Sequence, residues 1–384
     1  MTQFSASAHA AAESAAERVA SHQIRERFQV LPDRGLPARH STELMAHAQS
    51  DALFHLAAAQ QTRRRALQAR FAGRRIERLL ISANLSGFAH QRPGCTVEFL
   101  PKGYFQPADA DTREQRVTHL RDAVVIVNNN DVGLDSGGPA FAELFSRCPH
   151  TVFAAWDWDN HHWLDLSTLL AAHCDVYAPA HHEHLYLLSR YNASLAGPVY
   201  CGSVQWPRAF LVEQIPQMLQ ASRSDQPLGM HIPYAPFAFR NRVVTTLAQH
   251  FPSVGFSDRS FHVRTPAERL AEWTAHKAHW IVPVLNDVPI RIFDALISGG
   301  IPLVPESMRH LSPVRDIDPR HIVFYGPHDV IAPQAIVAQA NALFDQGGAD
   351  QLVARHRYAL DHHHGDQKIE QMLDVVRRQF GFVA

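Results

Sequence analysis

Residues 279–307 read HWIVPVLNDVPIRIFDALISGGIPLVPES. The apolar run Trp280 to Leu285 is strand-like and ends at the polar pair Asn286-Asp287. A short loop then leads into a helix that packs Ile292, Phe293, Leu296 and Ile297 and presents Arg291 and Asp294 in its first turns. Gly299-Gly300 stops that helix, because glycine adopts the backbone conformations that end helices. A second strand, Ile301 to Val304, follows and runs out at Pro305-Glu306-Ser307. Strand, polar turn, helix and strand in so short a span predict a βαβ unit of a parallel sheet.

The same rhythm extends in both directions. Upstream, RIERLLISANL, DAVVIVNNND, HTVFAAWDWDN, CDVYAPA and the shorter GPVYCG are apolar runs closing in polar residues, with helical stretches such as PAFAELFSRC, LDLSTLLAAH and HHEHLYLLSRY between them. Continuous apolar runs without strict alternation fit strands covered on both faces. After SRSDQ at 222–226 a second series begins: PLGMHIPY, SVGFSD, HWIVPVL, IPLVPE and HIVFYG as strands, with helices between. Residues 1–72 are rich in Ala, Glu, Gln and Arg and read as helices broken near 31–37. The predicted organisation is a helical extension (1–72), two open α/β domains (73–221 and 222–360), and a C-terminal helical segment (361–384) suited to packing back on the first domain.

Bulk composition narrows the function classes. The chain has 384 residues, 46% hydrophobic and 19% charged, with a net charge of −1. That balance gives no basic field of the kind nucleic-acid binding needs. No apolar run is long enough to span a bilayer, and the N-terminus lacks the basic cap and apolar core of a secretory signal. Four scattered cysteines without a CxxC pair suit reduced thiols, and a cytoplasmic location is expected. An Arg-rich strip (Arg63, Arg64, Arg65, Arg70, Arg74, Arg75) leaves room for peripheral contact with the inner membrane surface, against the plainer reading of a solvated helix face. The N-terminal helices offer a route to a homo-oligomer. The 26 histidines include the adjacent groups His161-His162, His181-His182 and His362-His363-His364. Neighbouring residues on a strand or helix point different ways, so no metal site is predicted, and DHHHGD at 361–366 reads as an exposed turn.

Ligands of open α/β sheets bind at the carboxyl ends of the strands. On the second domain this selects His231, Tyr234, Asn286 and Asp287, with Arg291, Asp294, Glu306 and Ser307 around the quoted helix, as a site for a nucleotide sugar, and the resemblance described next implies Arg240 or Arg242 as a contact to its diphosphate. Helix N-termini and arginine suit a diphosphate, and a carboxylate suits a hydroxyl pair. On the first domain it selects Asp157, then Asp159 or His161, as a general base. Asn130, Asp131, Trp156 and Trp158 are the candidate acceptor contacts, with the tryptophans as core and the acids as helix caps for the alternative.

The segment around Arg291 resembles the donor-site motif of GT-B-fold glycosyltransferases. In the group-1 type two glutamates flank a helix start, and exostosin-like bacterial branches carry a form like R-x-F-E-A-L-x-x-G-x-I-P-V. Arg291, Phe293, Asp294, Ala295, Leu296, Gly299, Ile301 and Pro302 stand here in that order. Asn286 and Asp294 replace the two glutamates, so a group-1 retaining mechanism does not follow. The resemblance implies two Rossmann-like domains facing a cleft. It also implies transfer of a sugar from a UDP- or GDP-sugar to a glycan, lipid-linked or protein acceptor, with no tightly bound cofactor and no required divalent cation. A sugar-nucleotide epimerase of the same fold and a non-catalytic two-domain binding protein are the alternatives.

Overall fold

The computed structural model describes residues 52–133, 136–160, 163–181, 191–234, 237–257, 264–284 and 287–383. Expectations for residues 1–51, for the helix in HHEHLYLLSRY, and for His161 and Asn286 lie outside them. The chain divides into two compact units. Among the described residues, unit 1 comprises 209–362, and unit 2 comprises 52–208 together with 363–383.

In unit 2 the elements are α1 (Ala52–Phe71), β1 (Arg78–Ile81), β2 (Thr96–Phe99), α2 (Ala110–Leu120), β3 (Val124–Asn128), α3 (Asn129–Val132), α4 (Gly137–Arg147), β4 (Val152–Asp157), α5 (Leu164–Ala172) and β5 (Val176–Pro179). All five strands are parallel, in the order β2-β1-β3-β4-β5. β3 and β4 are buried at every position because both sheet faces are covered. The two-residue period of a strand sorts their side chains. Val125, Val127, Phe153 and Ala155 enter one core. Val124, Ile126, Val152, Ala154 and Trp156 enter the other.

Helices from both ends of the chain close that second core. Leu67 and Phe71 of α1 pack in it beside Ile369, Met372, Leu373, Val376 and Phe380 of the last helix. Residues 52–72 are therefore part of this unit rather than a separate extension. Their arginines are not a free strip either. Arg63 pairs with the buried Asp175 at 2.7 Å, Arg64 donates to Gln379 and to the Ala193 carbonyl, and Arg70 donates to Asp122.

Unit 1 continues with α6 (Arg208–Glu213), α7 (Ile215–Gln220), β6 (Gly229–His231), α8 (Ala238–Ala248), β7 (Val254–Phe256), α9 (Pro266–Thr274), β8 (Ala278–Trp280), α10 (Arg291–Ile297), β9 (Ile301–Pro305), β10 (Val323–Tyr325), α11 (Pro327–Ile331) and α12 (Gln334–His362). The final helix, α13 (Gly365–Phe380), returns to unit 2. Parallel pairs β6-β7 and β8-β9-β10 are joined by the bridge between Leu228 and His279. There the Trp280 N–H donates to the Leu228 carbonyl at 2.7 Å, and the Leu228 N–H to the Ala278 carbonyl at 2.9 Å. The full order is thus β7-β6-β8-β9-β10, the same winding as in unit 2.

Several sequence expectations shift. GPVYCG forms no strand: Val199 only extends the edge of β5 through its N–H to the Pro179 carbonyl, and Ser203 bridges to His364. β2 had no apolar run to announce it, because three of its four residues are exposed on a sheet edge. DHHHGD is not an exposed turn. His363, His364 and Asp366 are buried, and the His364 ring lies 2.7 Å from Asp366 and 2.8 Å from the Trp206 carbonyl. The domain boundary falls at 208/209 rather than 221/222.

Candidate functional site

A 2-1-3-4-5 strand order has one switch point, where the strands on either side of the first are reached by connections running in opposite directions; the crevice at the carboxyl ends there is the place such sheets bind ligands. In unit 1 it lies between β6 and β8. His231 ends β6, and its buried ring fastens the two strands together. Nδ1 lies 2.6 Å from the Gly229 carbonyl, and Nε2 accepts from the Val282 N–H at 3.1 Å. Both nitrogens are thereby used, which fixes the neutral Nδ1–H tautomer. Burial, with Arg291 and Arg240 nearby, holds its pKa well below the ordinary imidazole value. His231 is a pin of the crevice and has no ring nitrogen left for a donor phosphate.

The arginines come from two distant stretches. Arg240, on the first turn of α8, donates through Nη1 to the Ile232 carbonyl at 2.9 Å and through Nε to the Val282 carbonyl at 3.3 Å. Arg291, at the start of α10, donates to the Met230 carbonyl. Burial lowers both guanidiniums, Arg240 to about 10, and each has a carboxylate acting the other way: Asp287 on Arg240, Asp294 on Arg291. Asp287 and Asp294 are themselves buried. Two cations, two carboxylates and a neutral imidazole thus gather at one end of the sheet. The Tyr234 ring lies under the Arg240 guanidinium at 5.7 Å, and the Tyr234 carbonyl accepts from Asn241 at 2.8 Å.

Three predicted donor contacts stand apart from this cluster. Arg242 is exposed on the outer face of α8. Glu306 is exposed and bound to Arg309 through both oxygens at 2.5 and 2.6 Å. Ser307 is exposed in the same short turn. One residue the sequence did not single out, Phe239, stands 79% exposed beside Arg240.

In unit 2 the switch point lies between β1 and β3, and polar side chains crowd its carboxyl ends. The Asn84 N–H and side-chain amide donate to the two oxygens of Asp131 at 3.0 and 2.9 Å. The Ser82 hydroxyl accepts from the Asn128 N–H at 2.9 Å. Burial raises the Asp131 pKa, and hydrogen bonds from Ser82 and Asn84 oppose that rise. One strand over, Asp159 accepts from the side chains of Asn129 (3.2 Å) and Asn130 (3.0 Å).

Asp157 is differently placed from its expected role as base. It is fully buried. Oδ2 accepts from Ser167 at 2.6 Å and Tyr177 at 2.7 Å, and Oδ1 from the Asp159 N–H at 3.3 Å. Burial pushes its pKa up to about 6 against the two hydroxyl bonds. With no exposed oxygen it orders the strand end and cannot meet a substrate hydroxyl. Trp156 is likewise core rather than a sugar platform: it is fully buried, donates to the Val199 carbonyl at 2.7 Å and meets Trp158 edge to face. Trp158 is half-buried and stacks on Phe88.

No family model matches the chain, and no curated protein matches it. Among solved structures it is similar to sucrose-phosphate synthase from Thermosynechococcus elongatus, with 12% identity and a TM-score of 0.44, over 79% of this chain and 99% of that one. The likeness is loose at that score, and the functional reading rests on this chain's own residues.

Of the predicted donor set, the fold brings together Arg240, Arg291, Asp287 and Asp294 with His231 and Tyr234. Of the predicted acceptor contacts, Asn130 and Asp131 stand at the strand ends of unit 2, where Asn130 meets Asp159, one of the predicted base candidates. Among the described residues no group of three or more His, Cys, Asp and Glu side chains is arranged to hold a metal. None of the described helices is long and apolar enough to cross a membrane.

Proposed function

We propose that the chain is a glycosyltransferase that takes a nucleoside-diphosphate sugar at the carboxyl end of the unit 1 sheet and an acceptor hydroxyl at that of unit 2. The observation that carries this is the convergence of Arg240 and Arg291 with Asp287 and Asp294 at the β6/β8 switch point. A nucleotide sugar presents two kinds of group in one molecule, a diphosphate and pairs of hydroxyls. Planar guanidiniums match phosphate oxygens in pairs, and carboxylates accept from hydroxyls. The N-terminal end of α8 adds its partial positive charge on the same side. As the bond from the sugar to the diphosphate breaks, the growing charge on the leaving oxygen is met by the two arginines.

Asp159 is the assigned base. It is half-buried rather than enclosed and is oriented by the amides of Asn129 and Asn130. In an inverting transfer the acceptor oxygen forms the new bond to the sugar carbon, and its proton passes to Asp159. Asn130 borders the same strand ends and is assigned to an acceptor hydroxyl, while Asp131, buried and held through both oxygens by Asn84, supports that strand end. The test is incubation with UDP-, GDP-, dTDP- and CMP-sugars, with and without glycan or lipid-linked acceptors, while nucleotide release and product are followed. Acceptor-dependent release of a nucleoside diphosphate is expected. Epimerised donor without any acceptor would replace the transferase by an epimerase of this fold.

A further inference from the structure

At the amino end of the unit 1 sheet, the guanidinium of Arg355 is buried and that of Arg223 half-buried, and neither forms an ion pair with a carboxylate among the described residues. Arg223 donates through Nη1 to the His276 carbonyl at 3.1 Å and through Nη2 to the Ser298 carbonyl at 2.7 Å. Arg355, on α12, is fully buried and donates through Nε to the Gly299 carbonyl at 2.9 Å. These contacts cap the carboxyl end of α10, where the helix dipole favours cations. Both guanidiniums lie against the same ring, Phe344, at 5.1 and 5.2 Å.

Capping uses only one edge of each group. Arg355 Nη1 and Nη2 and Arg223 Nε are buried with no hydrogen-bond partner among the described residues. Burial pulls both groups down to about 10, and for Arg355 the neighbouring Arg223 pulls the same way. No carboxylate offsets either, unlike Arg240 and Arg291 at the other end of the sheet. An unpaired buried charge is costly to the fold, so an anion is the natural complement.

The backbone beside the free edge is shaped to receive one. α12 is two helices joined at a kink, with Gly348 at φ 54° and ψ −156°. A second helical segment, 349–362, starts there and presents its N-terminal end. Gly347 lets the backbone come close at the kink: a side chain on it would collide with Gln351 at 2.7 Å and stand 3.7 Å from Arg355 Nη1, so the free edge of Arg355 faces this turn. The two free Nη groups of Arg355 beside a helix N-terminus suit a small tetrahedral oxyanion.

We propose that Arg355, Arg223 and the Gly347-Gly348 kink form a binding site for a small inorganic oxyanion of the phosphate or sulfate class. The anion joins α12 to the carboxyl end of α10, the helix whose first residue is Arg291, and so bears on the opposite end of the sheet.

The experiment is thermal unfolding of the full chain with potassium phosphate, sulfate or chloride, at ionic strength held constant with potassium gluconate. A saturable rise in Tm with phosphate or sulfate is expected, well above any change in chloride. Arg355→Met and Arg223→Met should each lose it; if R355M does not fold, R223M carries the test. R240M should keep it, which separates this site from the nucleotide-sugar end. Four results would overturn the proposal: equal Tm in phosphate and gluconate, a rise matched by chloride, a rise that survives in the folded R355M or R223M variant, or a rise lost only in R240M.

Discussion

Asn84 holds Asp131 by two hydrogen bonds, one from its backbone and one from its side chain, across the gap between β1 and β3. The pair spans the crevice where the unit 2 sheet changes direction, so it fixes the spacing of the strand ends that carry Asn128 to Asp131. Asn84→Ala removes one donor from a buried carboxylate, a loss of about 1–3 kcal/mol. Asp131 already has a raised pKa, so the loss should be full at neutral pH and smaller in acid, where the carboxyl is protonated. Urea unfolding at the two pH values checks this; a pH-independent loss would remove Asp131 as the affected group.

Asp157 gives a separate pH signature. Its folded pKa, about 6, exceeds the ordinary aspartate value of 3.8. The folded state therefore binds the proton more tightly, and stability falls as pH rises from about 4 to about 6, by on the order of 3 kcal/mol. Asp157→Asn should flatten that part of the stability profile. An unchanged slope in D157N would mean that Asp157 is not the buried acid responsible.

His231 acts in the opposite sense. Its pKa is depressed below 6.5 by burial, so its neutral form supports the fold above that pH and stability is lost as pH falls through it. His231→Asn should weaken this acid sensitivity without abolishing it, because the buried His279 is depressed for the same reason. Identical acid profiles for H231N and the parent would contradict the pinned neutral tautomer.

The glycines that end α10 were readable from sequence as a helix stop, and their geometry shows why both are needed. Gly299 has φ 76°, and a side chain there would meet Leu352 at 2.6 Å. A side chain on Gly300 would meet His279 at 2.4 Å. Gly300→Ala should cost about 1–3 kcal/mol through overpacking, read as a lower midpoint in chemical unfolding. A midpoint within error of the parent would show that β8 and β9 are not packed this closely.

Much of the parallel architecture was legible because its strands are buried on both faces and so leave unbroken apolar runs, as in VVIVN and VFAAWD. β2 was not, since an edge strand with exposed residues carries no such run. The site was legible as a set of strand ends but not as a set of roles. Nothing in AAWDWDN says that Asp157 points into the core and Asp159 away from it. Strand alternation would put both on one face, but β4 ends at Asp157, and the hydroxyls of Ser167 and Tyr177 close over that residue alone. Likewise Arg240 and Arg242 are two residues apart on one helix, and only packing shows that the first is buried and the second is not. The Arg223–Arg355 site joins residues so distant in sequence that no motif could have brought them together.

The assignment of Asp159 as base predicts that Asp159→Asn lowers turnover about 10²–10⁴-fold with little change in donor affinity. A comparable loss in D157N with an intact D159N would move the proton transfer to the buried acid.

Calorimetric titration of UDP and GDP into the parent chain and into Arg240→Met tests the central claim most directly. Saturable binding of one of the two to the parent, weakened at least about tenfold in a folded R240M, is the predicted result. Absence of binding by either nucleotide, or equal binding by parent and variant, would contradict a nucleotide-sugar site at the β6/β8 switch point.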